Sequence, residues 1–257
     1  MAEEQDLARK LNATDAQIEA FVARLDKFLG GNLKKILRDI KTGKAKEAAK
    51  ALGSLQSALR ELGLQDVLNT LPKVYKTTLK AIDDELSASV DRDTVLNDVD
   101  RTVAEMLIKF DTNVIANKVN ALTDDLSSTI MRQVITGETI DVDQYVDTLG
   151  SRTVAQIKTE LNTATIAFSR SITQKKANDL GLNLFLYVGP LDKITRPFCR
   201  ARVGKIYTRE EINSWDNGQG LPANLYCGGY NCRHDLRPIT EERAKKLGYD
   251  NQDNKAA

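Results

Sequence analysis

Cysteine and histidine are scarce in this chain of 257 residues, which has three cysteines and one histidine. So few cysteines, and an odd number of them, do not make a disulfide framework, which leaves metal binding, a reactive thiol or plain burial as their roles. A single histidine excludes nuclease sites that need two or more, and it excludes the HExxH motif of zinc peptidases. The motifs GxGxxG, GxxxxGK[ST] and GxSxG are missing as well. The sequence therefore gives no support to a nucleotide-binding loop or a hydrolase elbow.

Long apolar runs and an excess of one charge are also missing. No stretch approaches the roughly 20 apolar residues of a membrane span, so we expect none. Residues 1–10 are acidic and polar, unlike a signal peptide, so we expect the chain to be made and kept in a cytoplasm. The 37 Lys and Arg residues against 36 Asp and Glu residues give a net charge of +1. That balance argues against nucleic-acid binding driven by bulk charge, but it permits a local basic patch.

Amphipathic stripes fill the chain as far as residue 181. Apolar residues recur at steps of three and four, as they do from Ile18 to Leu29, and this spacing is typical of helices with one buried face. We expect the first helix to begin at a cap on Thr14 and to end at Gly30 and Gly31. Further helices are predicted at residues 33–40, 52–62, 71–86, 91–135 and 151–180.

The character of the sequence changes after Gly181, because four of the five prolines and eight of the fourteen aromatic residues follow it. Residues 182–188 read LNLFLYV and predict a strand, and residues 203–208 predict a second strand entered by a turn at Gly204. Short helices are predicted after caps on Thr208 and Thr240. The expected fold is mainly α, with long N-terminal helices followed by a small α+β C-terminal module. We assign 1–181 to the helical region, 182–248 to the module and 249–257 to a flexible tail.

All three cysteines and the histidine lie in this module, in the order Cys199, Cys227, Cys232 and His234. Thiolates and imidazole are ligands that zinc prefers, and the glycines of the segment CGGYNCRH would allow the tight backbone turn of a zinc knuckle, with amides facing the thiolates. Four such ligands would close a structural zinc site. The other interpretation is that the thiols are free and buried beside a hydrogen-bonded histidine.

Two further functions can be drawn from the same part of the chain. A thiol hydrolase would pair Cys199 or Cys227 with His234 and Asp235. A metal-knuckle nucleic-acid-binding protein would hold phosphates with the cations clustered here. Those cations are Arg196, Arg200, Arg202, Lys205 and Arg209.

Several short motifs follow one another between residues 157 and 239. Lys158-Thr159-Glu160 precedes the strand, DKITRPFC occupies 192–199, GKIYT occupies 204–208, and NCRH occupies 231–234. In this order they resemble the C-terminal half of the phage-Mu-like minor head proteins, the head morphogenesis family of tailed bacteriophages. The likeness is to that family's D-x-x-T-R-x-x-C segment, its glycine-lysine turn and its N-C-R-[CH] box. The motif residues are Asp192, Thr195, Arg196, Gly204, Asn231 and Arg233.

The resemblance implies a structural role in the virion and no enzymatic activity or small-molecule substrate. It implies a minor head protein, made in the host cytoplasm, that acts in head assembly or genome delivery near the portal. The implied partners are the portal protein, the major capsid protein or both, and packaged DNA is a further candidate.

The residues of the motif also predict local contacts. We expect Asp192 and Thr195 to fix a tight turn through hydrogen bonds from side chain to backbone. Arg196 and Arg233 are expected to pair with carboxylates, and Asp192 and Asp235 are the candidates. On this interpretation the motif holds a small fold together.

Overall fold

The computed structural model describes residues 2–41, 63–90, 95–136 and 151–249, together with residues 57, 60 and 61. Long helices come first, and a small antiparallel sheet with short helices follows, so the predicted fold class is confirmed. Within the described ranges, every helix is too short or too polar to cross a membrane.

The helices up to the sheet are α1 (Ala2–Lys41), α2 (Leu64–Leu68), α3 (Leu71–Val90), α4 (Asp98–Thr136) and α5 (Ser151–Asp179). The later elements are β1 (Leu184–Val188), α6 (Pro197–Arg200), β2 (Ile206–Thr208), α7 (Arg209–Asn213), α8 (Ala223–Tyr226), β3 (Asp235–Ile239) and α9 (Glu241–Lys246).

Contacts group the described residues into two compact units. One unit takes its residues from 1–14, 75–107 and 162–257, and the other takes them from 15–74 and 108–161. The predicted division at residue 181 marks the end of the last long helix. The compact units have their last boundary earlier, between residues 161 and 162 of α5. The second part of that helix contributes Ala177 to the core of the C-terminal module. Residues 250–257 of the predicted tail and most of the helix predicted at 52–62 lie outside the described residues.

Helix α1 passes through the glycines that were expected to end it, so that prediction is wrong. Neither Gly30 nor Gly31 has a positive φ, and a glycine inside a helix costs only about 1 kcal/mol relative to alanine. Thr14 does not start the helix either. It is buried, and its hydroxyl lies 3.2 Å from that of Thr78 on α3.

The sheet has the strand order β2-β1-β3, and both pairings are antiparallel. The central strand β1 is buried along its whole length. On one face, Phe185 and Tyr187 pack into a core with the three cysteines, and on the other face Leu184, Leu186 and Val188 pack against α9. A strand covered on both sides accounts for the nearly continuous apolar run in its sequence. This sheet places the cysteines beneath β1.

Local signals in the module act where the sequence predicts them. The hydroxyl of Thr208 accepts a hydrogen bond from the backbone N–H of Glu211, whose side chain accepts one from Thr208 in return, so α7 begins with a capping box. Thr240 caps α9 by accepting from the N–H of Arg243. Strand β3 was not predicted from the sequence, and it contains Pro238. Because β3 is an edge strand of the sheet, the missing N–H of a proline can be tolerated there.

Candidate metal centre

Three of the four predicted ligands come together in the C-terminal module. The donor atoms of Cys199, Cys232 and His234 all lie within 4.8 Å of one another. The two sulfur atoms are 3.6 Å apart, and the Cys232 Sγ lies 3.6 Å from Nδ1 of His234. Zinc in a tetrahedral site lies about 2.3 Å from sulfur and about 2.05 Å from nitrogen, which separates two sulfurs by about 3.8 Å and sulfur from nitrogen by about 3.6 Å. The three donors therefore lie close enough together to hold a metal ion.

Each ligand comes from a different local structure. Cys199 lies in the short helix α6, which begins at Pro197, a residue suited to the first turn of a helix. Cys232 lies in the loop after α8, and His234 directly precedes strand β3. The three residues are 1%, 4% and 4% exposed, respectively. The site is thus enclosed by the fold, and Cys199 is brought from 33 positions away to the segment that carries Cys232 and His234.

Gly228 makes room for the two sulfur atoms. A Cβ atom at this position would lie 2.4 Å from Sγ of Cys199, which is closer than van der Waals contact permits. The Gly228 N–H donates to Sγ of Cys232 at 3.3 Å. This contact is the one that the zinc-knuckle prediction describes, in which a glycine lets a backbone amide face a cysteine sulfur.

The imidazole of His234 packs against Tyr187 on strand β1 and against Gly189, which directly follows that strand. A Cβ at Gly189 would lie 2.5 Å from Cδ2 of His234, so only glycine permits this approach of the chain to the ring. On strand β1 the Tyr187 ring stacks on the imidazole at 5.7 Å between centroids. Nε2 of His234 is buried and has no hydrogen-bond partner in the described structure. The ring orientation that directs Nδ1 toward Cys232 is therefore set by packing.

The two ligand sulfurs have opposite tendencies to ionise. The hydrogen bond between the Cys199 and Cys232 sulfurs, with a further contribution from His234, lowers the pKa of Cys232. The same bond and burial raise the pKa of Cys199. The 3.6 Å contact between the two sulfurs therefore favours the ionised form of Cys232 and the neutral form of Cys199. Metal binding requires both sulfurs as thiolates, so binding would release the proton of Cys199.

The fourth predicted ligand, Cys227, is not part of this group of three donors. It ends helix α8 with a φ of 47°, and the next residue, Gly228, takes the place beside the sulfurs of Cys199 and Cys232. Burial raises the pKa of the Cys227 thiol to about 12. The electrostatics therefore favour a neutral thiol at this position.

The motif residues Asp192 and Thr195 form the tight turn that the sequence predicts. Oδ1 of Asp192 accepts from the Ile194 N–H at 3.1 Å, and the Thr195 hydroxyl accepts from the Asp192 N–H at 2.9 Å. The carboxylate of Asp192 also pairs with Arg233 at 2.5 Å. The Arg233 pair lowers the pKa of Asp192, with the Thr195 contact as the next cause. The turn is thereby bonded to the segment that carries the metal ligands.

Arg196 does not pair with either of the carboxylates that the sequence suggests. Arg196 donates to the carbonyl oxygen of Tyr230 at 2.8 Å and not to a carboxylate, so that expectation is wrong. Asp235 pairs with Arg170, whose Nε lies 3.4 Å from Oδ1. Asn231 has a φ of 53°, and its N–H donates to the Thr163 hydroxyl of α5 at 3.0 Å.

Gly204 provides the predicted turn into β2. Its φ is 81°, a left-handed conformation that suits glycine, and its N–H donates to the Tyr187 carbonyl at 2.9 Å. The Lys158-Thr159-Glu160 segment lies on α5 in the other unit, where Lys158 pairs with Glu19.

Arg170 is a component of the site that sequence reasoning missed. It lies on α5, its side chain is 2% exposed, and its guanidinium donates to backbone carbonyls around the ligands. A cation on the buried face of a helix is the one signal in the sequence, and that signal does not identify its partners.

The chain matches no protein-family model, no curated protein and no solved structure.

Proposed function

We propose that this chain is a structural minor head protein of a tailed bacteriophage, with a zinc ion holding its C-terminal module together. One observation carries the proposal: the polar residues of the motif form hydrogen bonds and ion pairs with one another and with the backbone. Asp192 is bonded to Thr195 and Arg233, and Arg196 is bonded to the Tyr230 carbonyl. A motif used in this way stabilises a module, which supports a structural role over an enzymatic one.

Zinc is the metal that the donor set supports. Two thiolates and one imidazole form a soft ligand set, which suits zinc better than magnesium or calcium. Cys199, Cys232 and His234 would hold the ion and leave one position for a water molecule or another side chain. We call the segment between α8 and β3, which carries Cys232 and His234, the ligand loop. Because all three ligands are buried, the metal would act by linking α6 to this loop and to the start of β3. A structural zinc site can supply about 10 kcal/mol or more to the folding of a small module.

The turn at Asp192 presents apolar side chains to solvent, which supports a role in assembly. Leu191 is 57% exposed, Ile194 is 76% exposed, and Tyr230 on the bonded segment is 49% exposed. Exposed apolar side chains on a turn that is held by hydrogen bonds are typical of a surface that contacts another protein. The proposed partners are the portal protein, the major capsid protein or both, with packaged DNA as a further candidate, and the proposed location is the phage head.

Assembly into heads tests this function. The chain would be expressed with the head proteins encoded beside its gene, and assembled heads would be purified and analysed for the chain by quantitative mass spectrometry. We expect the chain in the heads, and we expect Ile194→Asp to reduce its incorporation at least several-fold. The control is Leu247→Asp, which changes a different exposed aliphatic residue of the module, 43% exposed. Purified heads that lack the wild-type chain would contradict the proposal.

A zinc-knuckle nucleic-acid-binding protein is the second candidate, favoured by the cations clustered in the module. Most of them make contacts within the fold: Arg200 donates to the Asp192 carbonyl at 2.6 Å, Arg202 lies over the Phe198 ring at 3.8 Å, and Arg209 donates to Gln174 at 2.8 Å. This use in the fold supports the first candidate. DNA binding by the full chain, with an affinity that falls steeply as salt rises, would support the second.

A thiol hydrolase has less support. Its nucleophile would be Cys199 or Cys227, and both are buried with raised pKa values, whereas a reactive thiol is partly exposed and has a lowered pKa. Selective alkylation of either thiol at neutral pH in the metal-free folded chain would revive this candidate.

A further inference from the structure

We infer that Arg170 is a positioning residue for the metal centre, which fixes the backbone of the ligand loop from helix α5. The inference rests on the proposed zinc site and adds to it a residue that no motif identifies. Arg170 does not touch the metal position. It acts through the carbonyl groups of the loop that carries Cys232 and His234.

The contacts of Arg170 bracket the ligand loop at both ends. Nη1 donates to the Leu225 carbonyl at 2.8 Å, within helix α8. Nη2 donates to the Cys232 carbonyl at 3.1 Å and also to the carbonyl of His234. Two of the three carbonyls thus belong to metal ligands themselves. Their positions determine where the sulfur and the imidazole can lie.

The positive charge of Arg170 is also compatible with the charges of the metal ligands around it. An arginine side chain keeps its charge in proteins even when it is buried, and Arg170 pairs with Asp235. Two thiolates and a zinc ion are neutral together, and the ion pair of Arg170 with Asp235 is neutral as well. The buried group then needs no further counter-ion.

Lysine could not replace this residue. The guanidinium is a planar fork with several N–H groups in fixed directions, which allows one side chain to bond several carbonyls at once. The lysine ammonium is a point charge on a flexible stem, and it cannot hold both ends of the loop. Because α5 is the rigid element that carries Arg170, metal binding and the packing of α5 should be coupled.

Cobalt binding to the full chain tests this inference, because Co²⁺ reports both affinity and ligand geometry through its absorption bands. The chain would be purified metal-free and titrated with Co²⁺ as wild type, Arg170→Lys and Arg170→Met. We expect both variants to bind Co²⁺ about 10- to 100-fold more weakly, as is typical when an outer-shell partner of a metal site is lost. At saturating Co²⁺ we also expect altered absorption bands, because the sulfur and nitrogen donors would be misplaced.

The matched control is Lys176→Met, which removes another buried cation of helix α5. Lys176 pairs with Asp100 at 2.8 Å, so the change destabilises the same helix without touching the carbonyls that Arg170 bonds. We expect it to keep the wild-type absorption bands. Where a variant folds only with metal, circular dichroism during the Co²⁺ titration gives the Co²⁺ concentration at which it folds. The Co²⁺ absorption spectrum at saturation then reports the ligand geometry independently of the stability of the fold.

The possible results separate the inference from the proposal beneath it. Arg170 variants with wild-type bands, and with affinity within twofold of the Lys176→Met control, would overturn the positioning role. Failure of the wild-type chain to bind Co²⁺ or Zn²⁺ would instead sink the zinc site of the proposed function, and the inference with it.

Discussion

The sulfur atoms of Cys199 and Cys232 lie 3.6 Å apart although the residues are 33 positions apart in the chain. A disulfide would bring them to about 2.05 Å, and both residues are free cysteines. Two thiolates on one tetrahedral zinc ion are about 3.8 Å apart. Together with the Nδ1 atom of His234 at 3.6 Å from Cys232, this separation is what a metal-binding group requires.

Substitution of the cysteines should divide them into two classes. Cys199→Ser and Cys232→Ser should each abolish tight zinc binding, because each removes a sulfur from the group of three donors. Cys227→Ser should retain about one zinc per chain, since Cys227 lies outside that group. Elemental analysis of chains purified without chelator measures the difference, with less than about 0.2 zinc per chain counted as loss. Equal loss in all three variants would show that Cys227 is a fourth ligand.

Gly228→Ala should disturb the metal centre through steric conflict alone. The new Cβ would lie 2.4 Å from Sγ of Cys199, and its neighbours are buried, so we expect a loss of about 1 to 3 kcal/mol in stability and weaker zinc binding. Thermal unfolding with and without zinc measures both effects.

Gly204→Ala is the matched control for this change. Its φ is 81°, and nothing lies within 4 Å of the added atom, so backbone strain is its only cost, about 1 kcal/mol. It should leave zinc affinity unchanged. Zinc affinity that falls equally in both variants would contradict the steric explanation.

The parts of the fold that the sequence predicts are those fixed by neighbouring residues. The cap on Thr208 needs only Glu211 three positions later, and the strand at β1 is a local run of apolar residues. Strand β3 depends on pairing with β1 across the module, as in the register of Phe185 with Pro238. No local pattern reveals that pairing. A proline within the segment even argues against it.

The candidate site shows the same division. Rarity and clustering of cysteine and histidine were enough to select Cys199, Cys232 and His234, but they select Cys227 equally, and only the structure leaves it out of the group of three donors. The role of Arg170 could not be predicted, because the carbonyls it bonds lie 55 to 64 positions away.

The carboxylate of Asp100 should make the chain less stable in acid. It is 1% exposed, and although burial alone would raise its pKa, hydrogen bonds from Lys175 and Lys176 lower the pKa to about 2. A folded pKa below the unfolded value means that the ion pairs stabilise the fold above about pH 4, and that this stability is lost as the pH falls toward 2. The shift corresponds to about 2 kcal/mol.

Asp100→Asn tests this contribution in urea unfolding at several pH values. The change should cost about 3 kcal/mol at pH 7, because it leaves Lys176 buried without its partner, and the cost should shrink as the pH falls toward 2. Asp98→Asn, at an exposed position of the same first helical turn, is the control and should have little effect. A cost for Asp100→Asn that stays constant with pH would refute the ion-pair explanation.

Asp111, in the other unit, should have the opposite dependence on pH. Burial raises the pKa of its carboxyl to about 6, so the folded state holds the proton more tightly than the unfolded state does. The folded state is then penalised above pH 6, and the penalty disappears as the pH falls below about 4. Asp111→Asn should therefore stabilise the chain by about 1 to 2 kcal/mol at pH 7, and by almost nothing at pH 4. Urea unfolding at the two pH values checks this, with Asp124→Asn at an exposed position of α4 as the control. Stabilisation of equal size at both pH values would show that desolvation of the charged carboxylate is not the cause.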